Sequence, residues 1–201
     1  MTEAYDWNPM PHRVSIRCPN CESPAEYEFA EVVKIQLTAD VEFFQRSDAF
    51  EYHLFEDGCG SCWHGAVFYH GLRGSTLDVI RDLPEGYSPE DWEHSRYLLR
   101  SHGLDIGSVT CRSCGCRKKH SLNWPDEAYF QIDYKGKVLW AFDRESATVL
   151  LDYIRSGIRQ RDRKWKAFLS HVPSHFLKKK ARDEVSRKLG RLLGAEVSPQ
   201  S

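Results

Sequence analysis

The chain has 201 residues, of which 41% are hydrophobic and 12% aromatic, so it can bury one substantial core or two small ones. Its formal net charge is -1, and no apolar run reaches the roughly 18 residues that a membrane-spanning helix needs. The first residues have neither a basic flank nor an apolar stretch for export. We therefore expect a folded cytoplasmic protein with no membrane partner, in which the cysteines stay reduced.

The small net charge hides two halves of opposite sign. Residues 1–110 hold 8 Lys and Arg against 19 Asp and Glu, whereas residues 111–201 hold 20 against 10. A basic half of this kind is suited to a polyanion, although the two halves can equally attract each other within the fold. Charge alone therefore leaves both interpretations open.

The N-terminal part is predicted to be mainly β. Strands are expected at residues 14–17, 26–37, 41–44, 50–55 and 66–69, where apolar residues alternate or aromatic residues cluster between turn residues. The alternation within 26–37 slips once near Ala30, which we interpret as a β-bulge. One helix is predicted over 89–102, because Ser88 can cap it and Gly103 can end it.

The C-terminal part changes from strands to helices. A hairpin is expected from strands 129–133 and 138–142, joined by a turn in which Gly136 can adopt a positive φ. Asp143 is expected to cap an amphipathic helix that ends near Gln160. Two further helical segments are predicted, a short one over 165–171 and a last one whose apolar face holds Ala181, Val185, Leu189 and Leu192.

Three C-x-x-C pairs are the strongest chemical signal: Cys18 with Cys21, Cys59 with Cys62, and Cys111 with Cys114. One such turn can place two thiolates on a metal ion, and two turns complete a tetrahedral zinc site. We predict that the first and third pairs share a structural Zn²⁺, because strand-like residues precede both and Gly115 permits a sharp bend. Their sequences, R-C-P-N-C and T-C-R-S-C-G, resemble the two halves of a zinc ribbon.

Other ligand sets stay open at this point. The first pair can instead share a metal with the second-choice ligands Cys59 and Cys62, which leaves Cys111, Cys114, Cys116 and His120 as a second cluster. A mixed site in which His64 joins the middle pair is a further alternative. The middle pair can also be buried as small apolar residues without any metal.

The middle pair has an enzymatic resemblance as well. Residues 59–63, C-G-S-C-W, resemble the signature of papain-like cysteine proteases, which implies a nucleophile at Cys62. Glu56 stands where that family has its oxyanion glutamine, and no Asn follows Asn123 to orient a catalytic His. A thioredoxin-like redox pair needs a helix after the cysteines, and none is expected here. We keep a thiol enzyme at Cys62 as an alternative and expect no catalytic residues.

Basic residues concentrate after the third pair and in the C-terminal helices. The candidates for phosphate contact are Arg117, Lys118, Lys119, Arg161, Arg163, Lys164, Lys178, Lys179, Lys180, Arg187 and Arg191. Trp165 and Phe168 lie among them, but their helical spacing places them in the core rather than on nucleic-acid bases.

Residues 122–142, L-N-W-P-D-E-A-Y-F-Q-I-D-Y-K-G-K-V-L-W-A-F, look like the tail of bacterial zinc-ribbon proteins, a resemblance that implies no activity. We predict an α+β fold, with an acidic, β-rich, zinc-ribbon-like part over 1–125 and a hairpin with basic helices over 126–201. The predicted function is a non-catalytic zinc-binding protein that binds nucleic acid or acts as an adaptor through these helices. The alternative partner is a protein, within a cytosolic complex.

Overall fold

The computed structural model describes residues 10–94, 105–156 and 164–195, and these form the predicted α+β fold. Contacts divide them into two compact units. The first, here called the helical unit, holds residues 13–26 and those from 123 onward. The second, the β-rich unit, holds residues 10–12 and 27–122 outside the gap. Every helix in the described ranges is too short or too polar to cross a membrane.

The strands form three sheets. The strands are β1 Arg13–Arg17, β2 Pro24–Phe29, β3 Glu31–Lys34, β4 Glu51–Glu56, β5 Cys62–Phe68, β6 Ile106–Thr110, β7 Arg117–Ser121, β8 Gln131–Tyr134 and β9 Lys137–Trp140. Their orders are β1-β2-β6-β7, β3-β5-β4 and β8-β9. The pairings of β5 with β3 and β4, of β6 with β7, and of β8 with β9 are antiparallel.

The helices are short except for two near the C-terminus. The α-helices are α1 Val41–Arg46, α2 His70–Arg73, α3 Thr76–Val79, α4 Arg144–Arg155, α5 Lys166–Ser170 and α6 Lys179–Ala195. Single 3-10 turns cover Thr38–Asp40, Pro89–Trp92 and Ser174–Leu177. The helical unit therefore contains the two long helices, and the helices of the β-rich unit within its described residues are short.

The predicted bulge near Ala30 is wrong, because the chain changes sheets there. β2 belongs to the four-stranded sheet and β3 to the three-stranded one. The backbone N–H of Ala30 donates to the carbonyl of Ile106 at 3.0 Å before β3 begins. A one-residue slip in an alternating pattern reverses the faces of a strand, so it marks either a bulge or a new strand. Here it leaves Glu28 and Glu31 buried on either side of Ala30.

The strand predicted over 41–44 is also wrong, because these residues form α1. Phe44 is fully buried, whereas Glu42 is exposed and pairs with Arg46 at 2.6 Å, one turn later. A short aromatic run fits a strand and a helix equally well, and the pairing at i and i+4 favours the helix.

The helix predicted over 89–102 is shorter than expected. Ser88 and Asp91 form the predicted cap as a capping box, but only a 3-10 turn follows. Glu93 is already extended, with φ -78° and ψ 146°. The buried indole of Trp92 donates to the carbonyl of Ala66 at 2.9 Å, which fixes the end of the turn. Residues 95–102 of the prediction lie outside the described ranges.

The C-terminal predictions agree more closely with the structure. Lys135 and Gly136 both have a positive φ between β8 and β9, as in a type I′ hairpin. Asp143 caps α4 through a capping box with Ser146. This helix ends at Arg155, earlier than predicted, and residues 157–160 lie outside the described ranges. Helices α5 and α6 are present where the sequence places them.

Each unit has its own aromatic core. In the β-rich unit Phe44, Phe50, Phe68 and Trp92 are buried together. In the helical unit Trp165 and Phe168 pack against Phe142, and both are buried as predicted. Aromatic side chains bury large apolar areas, which suits two small cores.

We expect Gly107→Ala to destabilise the protein, because a Cβ at this buried position would lie 2.3 Å from the carbonyl oxygen of Glu28. Overpacking of this kind reduces the free energy of unfolding by about 1–3 kcal/mol. Urea unfolding followed by circular dichroism measures the change. Gly58→Ala is the control, since nothing lies within 4 Å of its added Cβ. Equal stability of the two variants would contradict the close approach.

Candidate metal centre

The first C-x-x-C turn closes directly after β1. The backbone N–H of Cys18 donates to the carbonyl of Ser23 at 2.8 Å, and that of Glu22 donates to the carbonyl of Cys18 at 2.8 Å. The N–H of Asn20 points at the Cys18 sulfur from 3.4 Å. Glu22 adopts a left-handed φ of 59°. The turn thus presents an N–H group to the sulfur, a contact that stabilises a thiolate ligand.

The third C-x-x-C turn repeats this backbone geometry. The N–H of Cys111 donates to the carbonyl of Cys116 at 2.8 Å, again five residues further on. Gly115, the residue after the second cysteine, has a φ of 71° and corresponds to Glu22. The two turns are therefore equivalent knuckles, although only the third has the glycine that this conformation favours.

The four cysteines of these knuckles lie together. The sulfur atoms of Cys18, Cys21, Cys111 and Cys114 are all within 4.8 Å of one another. A tetrahedral ion with Zn–S bonds of about 2.3 Å separates its sulfurs by about 3.8 Å, which lies inside that limit. Cys18 and Cys111 are buried, whereas Cys21 and Cys114 are exposed. The group that the sequence predicts as ligands can thus hold a metal ion.

The middle pair lies elsewhere, with Cys59 in the loop that joins β4 to β5 and Cys62 at the start of β5. Both sulfurs are exposed, and neither belongs to a metal-capable group of the described residues. One carboxylate oxygen of Asp57 accepts the N–H groups of Cys59 and Ser61, each at 2.9 Å. Cys62 is the first residue of strand β5, opposite Glu56. The reactive cysteine of a protease or a redox pair starts a helix, and Cys62 starts a strand.

The other cysteine and histidine candidates have different contacts. Cys116 is half-buried, and its carbonyl closes the third knuckle. His120 packs edge-on against Tyr27, with ring centroids 6.1 Å apart. His64 shares a 2.7 Å hydrogen bond with the hydroxyl of Tyr52 through Nδ1. None of these three belongs to the four-cysteine group.

The basic residues after the knuckle of Cys111 and Cys114 form strand β7. Arg117 donates through Nε to the carbonyl of Gly71 at 2.8 Å. Lys119 pairs with Glu51 and lies 5.1 Å from the centre of the Tyr69 ring. Lys118 is exposed on the other face of the strand. Two of the three predicted phosphate contacts therefore already have partners within the β-rich unit.

The basic residues of the helical unit are more accessible. Lys178 directly precedes α6, and Lys179, Lys180, Arg187 and Arg191 are exposed along it. Lys164 pairs instead with Glu145 at 2.6 Å. Arg161 and Arg163 lie outside the described ranges.

Two lysines that the sequence reasoning missed extend this positive region. Lys135 and Lys137 flank Gly136 in the hairpin turn and are exposed. Burial lowers the pKa of His175, and the charges of Lys137 and Lys178 lower it further. We call the set Lys135, Lys137, Lys178, Lys179, Lys180, Arg187 and Arg191 the basic face. The K-G-K motif of the turn was the sequence signal that could have indicated it.

The basic face contains an acid that is already paired. A hydrogen bond from Lys188 lowers the pKa of Glu184, and the charges of Arg187 and Lys135 act in the same direction. Lys188 lies 2.9 Å from Glu184 and also donates to the carbonyl of Asp133 at 2.7 Å. The positive charges of hairpin and helix therefore act on the same two side chains, His175 and Glu184.

No protein-family model, curated protein or solved structure matches the chain. The resemblance of the knuckles to a zinc ribbon therefore stays a prediction, and the interpretation of function has to start from the geometry of the sites themselves.

The sequence reasoning also missed a buried cluster of histidines and glutamates in the β-rich unit. His94 contacts Glu28 through Nε2 at 2.9 Å and Glu31 through Nδ1 at 2.5 Å. Burial alone would lower the pKa of His94, but the hydrogen bonds and charges of these two carboxylates raise it to about 9. Burial and the neighbouring His94 lower the pKa of His70. The two glutamates within an apolar stretch were the only sequence signal for this cluster.

Of the three cysteine pairs, we expect only the first and the third to affect the metal content. Cys18→Ser or Cys111→Ser removes one ligand from a four-thiolate site and should lower the bound metal by about one ion per chain. Cys59→Ser and Cys62→Ser are matched controls with exposed sulfurs outside the group. Elemental analysis of the desalted proteins measures the difference. A loss of metal in the control variants would contradict this assignment.

The equivalence of the knuckles predicts opposite effects at Glu22 and Gly115. A non-glycine residue in the left-handed region costs about 1–2 kcal/mol, so Gly115→Ala should destabilise the metal-loaded protein by about that amount. Glu22→Gly removes the same strain and should stabilise the protein by up to about 1 kcal/mol. Nothing lies within 4 Å of a Cβ at Gly115, so sterics do not contribute. Thermal unfolding with excess Zn²⁺ measures both changes, and shifts of the same sign would disprove the equivalence.

Proposed function

We propose that this protein is a non-catalytic nucleic-acid-binding protein in which the four-cysteine centre holds a structural Zn²⁺. Four thiolates leave no open coordination position, which is typical of structural rather than catalytic zinc. Structural zinc contributes to folding directly, on the order of 10 kcal/mol or more in small zinc domains. The cysteine centre thus maintains the fold, and the binding surface lies elsewhere.

The basic face is the observation on which the proposal depends. Lysines from the hairpin turn and basic residues from α6 act together on His175 and Glu184. The acid among them, Glu184, is already paired with Lys188. A surface of exposed Lys and Arg from two adjacent elements suits the closely spaced charges of a phosphate backbone.

The same surface favours phosphate contacts over base contacts. The aromatic residues beside the basic face, Tyr134 and Phe176, are buried, as are Trp165 and Phe168, so none of these four is available for stacking. Contacts to phosphate and sugar position a protein but do not read sequence. Binding is therefore expected to be largely independent of sequence and strongly dependent on salt.

The test is the affinity of the full-length, zinc-loaded protein for fluorescent DNA and RNA oligonucleotides, single- and double-stranded, over a series of salt concentrations. Each phosphate contact contributes about -0.7 to -0.9 to the slope of log K against log salt. Lys137→Gln, Lys178→Gln and Arg187→Gln should each weaken binding for all sequences and reduce the slope by about 1. Arg46→Gln is the control, because Arg46 is an exposed arginine of α1 in the other unit.

Two results would overturn the proposal. One is the absence of binding at low salt, and the other is an equal loss of affinity in the Arg46→Gln control. A protein partner that stays bound after nuclease treatment would then favour the interaction subunit.

A further inference from the structure

The cluster of histidines and glutamates has the composition of a second metal site. One donor atom each of His12, Glu31 and His94 lies within 4.8 Å of the other two. Nδ1 of His12 is 3.5 Å from the Glu31 oxygen that Nδ1 of His94 approaches to 2.5 Å. Nitrogen and oxygen ligands around tetrahedral zinc, with bonds of about 2.0–2.2 Å, are about 3.4 Å apart. The contact of His12 with Glu31 is already close to this spacing, whereas the contact of His94 with Glu31 has to lengthen by about 0.9 Å when an ion replaces the proton between them.

Backbone hydrogen bonds and an anchored turn of the β-rich unit position these donors. The carbonyl of His12 accepts the N–H of Phe29 at 2.9 Å, and Glu31 begins β3 opposite Phe68 of β5. His94 follows the turn that the buried Trp92 anchors. The imidazole rings of His12 and His94 stack with their centroids 4.3 Å apart. His12 and Glu31 are thus fixed by backbone pairing, and His94 is fixed by its position two residues after Trp92.

Glu28 occupies the position of an orienting carboxylate. While Nδ1 of His94 faces Glu31, Nε2 contacts an oxygen of Glu28 at 2.9 Å. Metal-binding histidines almost always donate their other ring N–H to a carboxylate, a carbonyl or water, which fixes the ring orientation. Gly71 leaves space for this carboxylate, because a Cβ there would lie 3.3 Å from the second Glu28 oxygen. The cluster thus contains the outer partner as well as the ligands.

The charges favour a cation at the same place. The side chains of Glu28 and Glu31 are only 6% and 4% exposed. Two buried carboxylates are strongly unfavourable unless positive charge accompanies them. A divalent ion offsets both negative charges. Two imidazoles and one carboxylate suit zinc and iron(II), and three protein ligands leave a coordination position open.

We propose that His12, Glu31 and His94 bind a divalent transition-metal ion, with Glu28 as the positioning residue for His94. This site is separate from the four-cysteine centre in its ligands, its donor chemistry and its open position. It does not rest on the proposed nucleic-acid binding, because no residue of the basic face takes part in it.

His12→Ala is the decisive variant. It removes one proposed ligand but leaves the contacts of His94 with Glu28 and Glu31 in place, so the fold should persist, which the circular dichroism spectrum checks. The full-length protein is incubated with excess Zn²⁺, desalted and analysed for zinc per chain. We expect about two ions in the natural sequence and about one in His12→Ala. His53→Ala is the matched control, since His53 also contacts a glutamate, Glu51 at 2.7 Å, yet lies outside the group.

A second variant tests the role of Glu28. Loss of an outer-shell partner weakens metal binding by about 10–100-fold, so Glu28→Gln should raise the Kd for the second Zn²⁺ by that factor without changing the stoichiometry. Competition with a zinc-binding dye measures this Kd. A single zinc ion per chain in the natural sequence, or two ions retained in His12→Ala, would overturn the proposal and identify the cluster as an ion pair of His94 with two carboxylates.

Discussion

Four cysteine sulfurs held within 4.8 Å of one another are the constraint on which the architecture depends. Metal binding deprotonates thiols, and thiolates this close repel each other strongly unless a cation lies among them. The two knuckles that supply the sulfurs are far apart in the sequence. The chain between Cys21 and Cys111 therefore has to return, so that the knuckle of Cys111 and Cys114 lies beside that of Cys18 and Cys21. The change of sheets at Ala30 and the returning strand β6 are part of that path.

The two metal-capable groups differ in what they can do chemically. The cysteine group has four soft ligands and no free position, and it suits an ion that holds a fold together. The His12, Glu31 and His94 group has harder donors and a position left for water or another molecule. Neither depends on the basic face of the helical unit. The two metal-capable groups and the basic face thus consist of separate sets of residues.

Features that depend on nearby residues could be predicted from the sequence. The knuckles, the β8–β9 turn and the cap at Asp143 all arise from spacing and turn chemistry within a few positions. The errors have a common physical cause: short apolar segments such as 41–44 do not determine their own secondary structure, and tertiary packing decides it. The glutamate and histidine cluster joins His12, the stretch with Glu28 and Glu31, and His94, so the two glutamates gave a local signal but the convergence with the histidines did not. The convergence of Lys137 with Lys178 likewise exists only after folding.

The four cysteines are unequally buried, so the cysteine centre has one exposed side and one buried side. Cys18 and Cys111, the first residues of their knuckles, are buried, whereas Cys21 and Cys114 face solvent. A chelator or an oxidant reaches accessible thiolates first, so attack begins at the second cysteine of each knuckle. If an ion is bound by these four thiolates, its loss would be ordered, with the two exposed ligands released first while the two buried ones still hold it. The burial of the four cysteines would in this way determine the order in which such an ion loses its ligands.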